Sequence, residues 1–225
     1  MTELIVALDY PNDTLAYDYA IESLEDLDQT IWYKIGLELF VGSGMKFVNE
    51  LQKNNCNIFL DLKLYDIEDT IIKTVLNVMR NDVDMLTICA LDRNILSGAK
   101  KAKEIYEKQK SKPPKTKIII VGITTNNKLP DRNIVDLPAL CDFYDLDGVV
   151  CPANYVSSIK STYPDMICIS PAIRHEGDDI NCHDKTNVFT PEFAKEQGVD
   201  YIVVGRPITA QEDIVSAYNS FVEVL

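Results

Sequence analysis

Asp61-Leu62-Lys63-Leu64-Tyr65-Asp66 sets two carboxylates and an ammonium close together in a chain whose neighbouring residues are apolar. On a strand, residues two apart share a face. Asp61 and Lys63 therefore project together, and Leu62 turns to the opposite layer. Asp66 follows in the loop. A lysine held between carboxylates keeps its ammonium form and is a ready proton donor. The same carboxylates repel any further anion brought close, by roughly 4 kcal/mol at ~4 Å and an effective dielectric of ~20. A substrate carboxylate forced into that place gains by leaving as neutral CO₂. The plainer alternative is an ion pair closing a strand end.

A second group of residues suits an anion. Val203-Val204-Gly205-Arg206 runs from an apolar stretch into a loop, where Gly205 permits close backbone approach and Arg206 offers a bidentate donor. Ser170-Pro171-Ala172-Ile173-Arg174 repeats the pattern some thirty residues earlier. Between the two, His175–Val188 is polar and aperiodic, and reads as a solvated lid. Its His175, Glu176, Asp178, Asp179 and His183 lack metal-ligand spacing, so no metal is expected there. Further polar residues close other apolar stretches: Asp9, Lys34, Cys89, Thr124 and Thr125.

The elements that must position these residues alternate between two hydrophobic periods. Strands are expected at Leu4–Leu8, Ile31–Ile35, Ile58–Leu62, Met85–Cys89, Lys117–Val121, Gly148–Cys151, Met166–Ile169 and Tyr201–Val204. Helices are expected at Leu15–Leu27, Leu39–Lys53, Asp69–Met79, Asn94–Lys108, Ile134–Tyr144, Tyr155–Thr162, from Pro191 to Glu196, and Asp213–Val224. Eight strand–helix units in series predict the α/β class and a (β/α)₈ TIM barrel, one catalytic domain over residues 1–225. In such a barrel the polar residues just named fall at the C-terminal strand ends, where barrel chemistry sits, and the two arginine loops follow strands seven and eight. An open doubly wound sheet is the competitor, but no G-x-G-x-x-G opens the first helix.

Composition narrows the function. The 225 residues are 46% apolar and carry a net charge of -13, from 22 Lys+Arg against 35 Asp+Glu. Such a surface disfavours nucleic acid and anionic membranes, while a few local cations still admit a small anion. No apolar stretch is long enough to span a bilayer, and MTELIVALDY lacks the basic and long apolar regions of a signal peptide. Cys56, Cys89, Cys141, Cys151, Cys168 and Cys182 show no C-x-x-C, and read as reduced thiols of a cytoplasmic protein.

With these residues in hand, the chain resembles the orotidine 5′-monophosphate decarboxylase family, in its compact bacterial type. LDY at 8–10, YKIGLELF at 33–40, DLKLYDIEDT at 61–70, DGVVCP at 147–152, PAIRHEGDD at 171–179 and VVGRPIT at 203–209 carry the likeness in order along nearly the whole chain. The resemblance implies conversion of orotidine monophosphate to UMP, with neither metal nor organic cofactor, in a homodimer of barrels with shared sites. It implies that Lys63 protonates C6 of the pyrimidine, framed by Asp61 and by Asp66 lent from the other subunit. Asp9 and Lys34 match residues that hold the ribose hydroxyls. Ile67 and Thr70 match contacts that cross the dimer, Thr125 a contact to the base, and Arg174, Gly205 and Arg206 the phosphate site.

Four departures accompany the likeness. Cys89 stands where the family often has His, Glu68 where it has Pro, and Ala172 where it has Gly. The lid lacks the Gln that grips phosphate, and Lys185 is its candidate replacement. The competing readings are a magnesium-dependent keto-gulonate phosphate decarboxylase, a hexulose phosphate synthase, and a nucleotide-binding barrel without catalysis.

Overall fold

A computed structural model describes residues 2–25, 27–122, 132–178 and 187–225. Its elements run β1 Glu3–Leu8, α1 Asp13–Ala16, a π turn Tyr17–Ile21, α2 Glu22–Leu24, β2 Trp32–Gly36, α3 Leu37–Lys53, β3 Asn57–Leu64, α4 Glu68–Arg80, β4 Met85–Cys89 and α5 Arg93–Lys110. There follow β5 Lys117–Val121, α6 Arg132–Phe143, β6 Gly148–Val150, a 3₁₀ turn Ala153–Tyr155, α7 Val156–Thr162, β7 Ile167–Ser170, α8 Pro191–Glu196, β8 Tyr201–Val204, α9 Arg206–Thr209 and α10 Ile214–Val222. The eight strands pair in parallel in chain order, and β8 closes on β1. The expected barrel is therefore the observed one. Among the described residues no helix is long and apolar enough to cross a membrane.

Period-two alternation splits the core in two. One set of strand residues fills the barrel: Ile5, Ala7, Trp32, Phe59, Met85, Ile119, Ile169 and Val203. The other set, including Val6, Ile35, Leu60, Leu62, Ile88 and Val204, packs outward against the helices. Leu62 thus faces the helix layer, as its parity requires. The floor of the barrel is closed by Trp32 and Tyr201, whose rings meet edge to face at 5.1 Å, with the indole N–H donated to Glu3 at 2.9 Å. Going up the inward rows of β2, β3 and β4, apolar residues give way to polar ones: Trp32 to Lys34, Phe59 to Asp61, Met85 to Thr87.

The N-terminal rim carries a repeated clamp. The residue just before β4, β6 and β8 is an aspartate in each case: Asp84, Asp147 and Asp200. Each accepts the N–H of the second residue of the preceding strand: Ile58 at 2.9 Å, Ile118 at 2.8 Å and Cys168 at 2.7 Å. Each also meets a lysine: Lys115 at 2.6 Å, Lys103 at 3.5 Å and Lys160 at 2.7 Å. The rim opposite the catalytic face is where barrel residues serve stability.

Several boundaries differ from the sequence expectation. The first helix starts at Asp13, because the Asn12 side chain accepts the Leu15 N–H, and it passes through a π turn to end at Leu24 rather than Leu27. Helix α3 begins at Leu37 and kinks at Gly44, whose φ is 64°. Asp213 is the cap of α10 rather than its first residue, accepting the Ser216 N–H at 2.8 Å. Strand β8 runs into the one-turn helix α9 instead of a plain loop. The described cysteines are free; Cys141, Cys151 and Cys168 are buried, and burial pushes the Cys141 thiol up to about 12. Cys182 lies outside the described residues.

Removing a clamp should be felt globally. Asp200→Ala takes the acceptor from the buried Cys168 N–H and the carboxylate from Lys160, whose ammonium keeps only backbone carbonyls. Equilibrium urea unfolding should show a loss of roughly 1.5–3 kcal/mol, the range for hydrogen bonds to charged groups. A midpoint equal to wild type would remove the clamp from the stability argument.

Candidate active site

At the C-terminal mouth of the barrel, four charges form a row of alternating sign. Asp9 accepts from Lys34 at 2.9 Å. The Lys34 ammonium lies 3.9 Å from Asp61 Oδ2, and that same oxygen accepts from the Lys63 ammonium at 2.7 Å. The row is graded in exposure, from an Asp9 side chain 64% exposed to Lys34 and Asp61 at 12% and 15%, then Lys63 at 36%. Its middle is thus withdrawn from solvent while the two ends reach the surface. Gly36 closes β2 beside this row; a Cβ there would sit 3.4 Å from the Lys34 ammonium.

Thr87 fastens the row to its strand. Its hydroxyl donates to Asp61 Oδ1 at 3.0 Å and accepts the Lys63 backbone N–H at 2.8 Å. The ladder between β3 and β4 is irregular between Leu60 and Leu64, and Lys63 has φ of 47°. The expected strand stops at Leu62, whereas the observed one continues through this distortion to Leu64. A left-handed conformation costs a non-glycine residue about 1–2 kcal/mol, so it persists only where its surroundings enforce it. Here a threonine hydroxyl replaces a ladder carbonyl and holds the lysine against Asp61. The inward parity of Met85, Thr87 and Cys89 would have pointed to Thr87, but sequence reasoning stopped at the strand end, Cys89.

Asp66 lies outside this row. It is exposed, its Oδ1 accepts the N–H of Ile67 at 2.7 Å, and among the described residues it forms no ion pair with Lys63 of its own chain. Of the two carboxylates expected around Lys63, this chain places Asp61 against it. Ile67 caps α4 and is 71% exposed, and Thr70 sits in the first turn of that helix. Glu68, the departure from Pro, pairs with Lys101 of α5 at 2.8 Å, which holds its carboxyl below the usual range.

The two arginine loops occupy the ends of adjacent strands. A Cβ on Gly205 would lie 3.6 Å from Asp9 Oδ2, so the turn out of β8 runs directly beside the charged row. Arg206 opens α9 and is exposed. After β7, Ala172 adopts φ of 61°, a conformation that glycine takes without strain. Ile173 then bridges to Phe189, and Arg174 is half-buried with its Nε unpartnered among the described residues. Thr124, Thr125 and Lys185 lie outside the described residues. Among those described, no three His, Cys, Asp or Glu side chains gather as metal ligands do.

The Thr87 bridge is testable without any substrate. Thr87→Val keeps the shape but leaves the Lys63 N–H without its acceptor. Denaturant unfolding should lose about 1–3 kcal/mol, the cost of an orphaned buried group. An unchanged stability would mean that the bulge stands without the hydroxyl.

The model of the orotidine 5′-phosphate decarboxylase / HUMPS family matches residues 2–221. An orotidine 5′-phosphate decarboxylase of Buchnera aphidicola is 33% identical, over 98% of this chain and 94% of that protein. One from Carboxydothermus hydrogenoformans is 35% identical over the same shares. The crystal structure of orotidine 5′-phosphate decarboxylase from Lactobacillus acidophilus superposes with a TM-score of 0.79 at 25% identity, covering 100% of this chain and 99% of that one. A closed barrel with this charged row at its mouth, matched along almost its whole length, belongs to the orotidine 5′-phosphate decarboxylase / HUMPS family.

Proposed function

We propose that this chain decarboxylates orotidine 5′-monophosphate to UMP and CO₂, the last step of de novo pyrimidine synthesis, as a cytoplasmic enzyme needing no metal or organic cofactor. Residues 1–225 act as one catalytic barrel domain. The observation that carries the reading is the Asp61–Lys63 contact of 2.7 Å, held in a strained strand beside Lys34 and Asp9.

The chemistry follows from that contact. A substrate carboxylate brought beside Asp61 meets a fixed negative charge that Thr87 and two ammonium groups hold in place. The bond from C6 to the carboxylate breaks, CO₂ leaves, and the electron pair stays on C6. The Lys63 ammonium gives its proton to that carbon, and the neutral amine regains one from solvent. Repulsion is relieved as the carboxylate leaves, so the interaction favours the transition state over the bound substrate. Asp9 and Lys34 hold the ribose hydroxyls. Arg174, Gly205 and Arg206 take the phosphate with Lys185, and Thr125 meets the base.

We further infer a homodimer in which Asp66 completes the partner's site, with Ile67 and Thr70 crossing the interface. The outward position of Asp66 supports this. So does the apolar surface around it: Leu37, Val41, Tyr65, Ile67 and Leu91 are between 57% and 82% exposed, and all lie in segments following β2, β3 or β4. A depression of about 570 Å³, lined by Tyr65, Asp66, Ile67 and Asp92 among others, lies on the same face. Exposed apolar patches of this kind suit a second protein surface.

Two experiments test the reading. UMP release should proceed in the presence of a chelator and disappear in Lys63→Ala, which should keep a wild-type circular dichroism spectrum. Turnover that needs added magnesium, or none at all, would reject it, and so would near wild-type activity of Lys63→Ala. For the shared site, inactive Lys63→Ala and Asp66→Ala dimers are mixed and allowed to exchange. Each heterodimer then has one site with both defects and one with neither, so activity should return to up to half of its sites. Exchange proven by mass without recovered activity would place Asp66 in its own subunit's site.

A further inference from the structure

The backbone on both sides of Arg174 is tied down, and the ties on its far side involve residues that no step above uses. Upstream, Ile173 bridges to Phe189, and the Arg174 N–H donates to the Phe189 carbonyl at 3.0 Å. Downstream, the His175 imidazole leaves the barrel mouth and docks on α10. Its Nε2 lies 3.0 Å from Ser220 Oγ, and its ring lies over Phe221, with centroids 4.1 Å apart and planes at 32°. The single hydroxyl proton of Ser220 goes to the Ala217 carbonyl at 2.7 Å. With the hydroxyl proton assigned in this way, Ser220 accepts and His175 donates from Nε2.

The His175 backbone is held as well. Its N–H donates to Asp178 Oδ2 at 3.0 Å, and its carbonyl accepts the Asp178 N–H at 3.3 Å. Gly177, with φ of 92°, supplies the turn between them. Phe221 is 1% exposed, so the docking surface is part of the rigid core. Helix α10 also packs against α9, whose first residue is Arg206.

We propose that His175 is a positioning residue for the phosphate end of the substrate: its anchor on Ser220 and Phe221 holds the Arg174 backbone on the same helical support that carries Arg206. The inference rests on the decarboxylase reading and assigns a role that the charged row does not need. Arg174 supports it, because its Nε is buried without a partner among the described residues. A buried guanidinium donor is costly to leave unmade, so its backbone must be fixed for the remaining donors to meet an anion in one geometry. A loosened backbone would spread the guanidinium over many positions and weaken the phosphate contact alone.

The test separates phosphate binding from binding of the rest of the nucleotide. His175→Phe keeps a stacking ring and loses the donor, Ser220→Ala loses the acceptor, and His175→Gln keeps a donor nitrogen. Titration calorimetry with UMP and with uridine is run on each, beside kcat and KM for orotidine monophosphate. His175→Phe and Ser220→Ala should each weaken UMP about tenfold, the order expected for one lost hydrogen bond, and leave uridine unchanged. KM should rise by a similar factor while kcat stays within about twofold, since the reacting carbon is untouched. His175→Gln should recover most of the UMP affinity. Equal weakening of UMP and uridine, or unaltered UMP binding in Ser220→Ala, would overturn the proposal. Should His175→Phe fail to fold, Ser220→Ala decides it. A wild-type protein that binds UMP tenfold tighter than uridine but never turns over orotidine monophosphate would reject the decarboxylase reading and leave the positioning role standing.

Discussion

The structure is organised around one carboxylate. Asp61 receives the Lys63 ammonium and the Thr87 hydroxyl on separate oxygens, with the Lys34 ammonium close to the first. A carboxylate withdrawn from solvent is costly unless its lone pairs are met, and here donors from β2, β3 and β4 meet them. These contacts fix which way Lys63 points and bend its backbone into the left-handed region. The bulge, the neighbouring lysine and the threonine are therefore parts of one arrangement rather than separate features.

The barrel makes that arrangement possible by keeping water out from below. Trp32 and Tyr201 close the floor, the Ile5, Phe59, Met85 and Val203 side chains fill the middle, and the charged row stands above this apolar layer. Charges placed on an apolar plug interact through a poorer screen than charges at an open surface. At the opposite rim the Asp84 clamp ties β3 to β4, the strands that carry Asp61, Lys63 and Thr87. Stability and chemistry thus occupy opposite ends of the same strands.

The anion side is built on different logic. Arg174 and Arg206 leave adjacent strands, and their supports converge on α10 through His175 and α9. Ala172, at φ of 61°, carries strain where a glycine would carry none, and the bridge to Phe189 holds the turn in spite of it. In the row around Asp61, strain and satisfied charge coexist at one residue. On the anion side the strain precedes the arginine by two residues, and among the described residues its Nε has no partner.

Alternating hydrophobic periods were enough to determine the barrel, because each strand and helix leaves its own mark in a window of a few residues. The spacing of Asp61 and Lys63 determined their shared face for the same local reason, and the resemblance named the remaining site positions. Thr87 and Gly36 were hidden, although parity put both inside, because a threonine and a glycine on buried strands look ordinary until a neighbouring strand is beside them. The rim clamps were hidden because each joins residues 26 to 32 positions apart, at no fixed period. Only the tertiary structure decided that the Lys63 backbone turns left-handed against Thr87, and that the His175 ring packs on the last helix. Those outcomes depend on which surfaces meet when the chain closes, and closure is a property of the whole barrel that no short stretch of sequence contains.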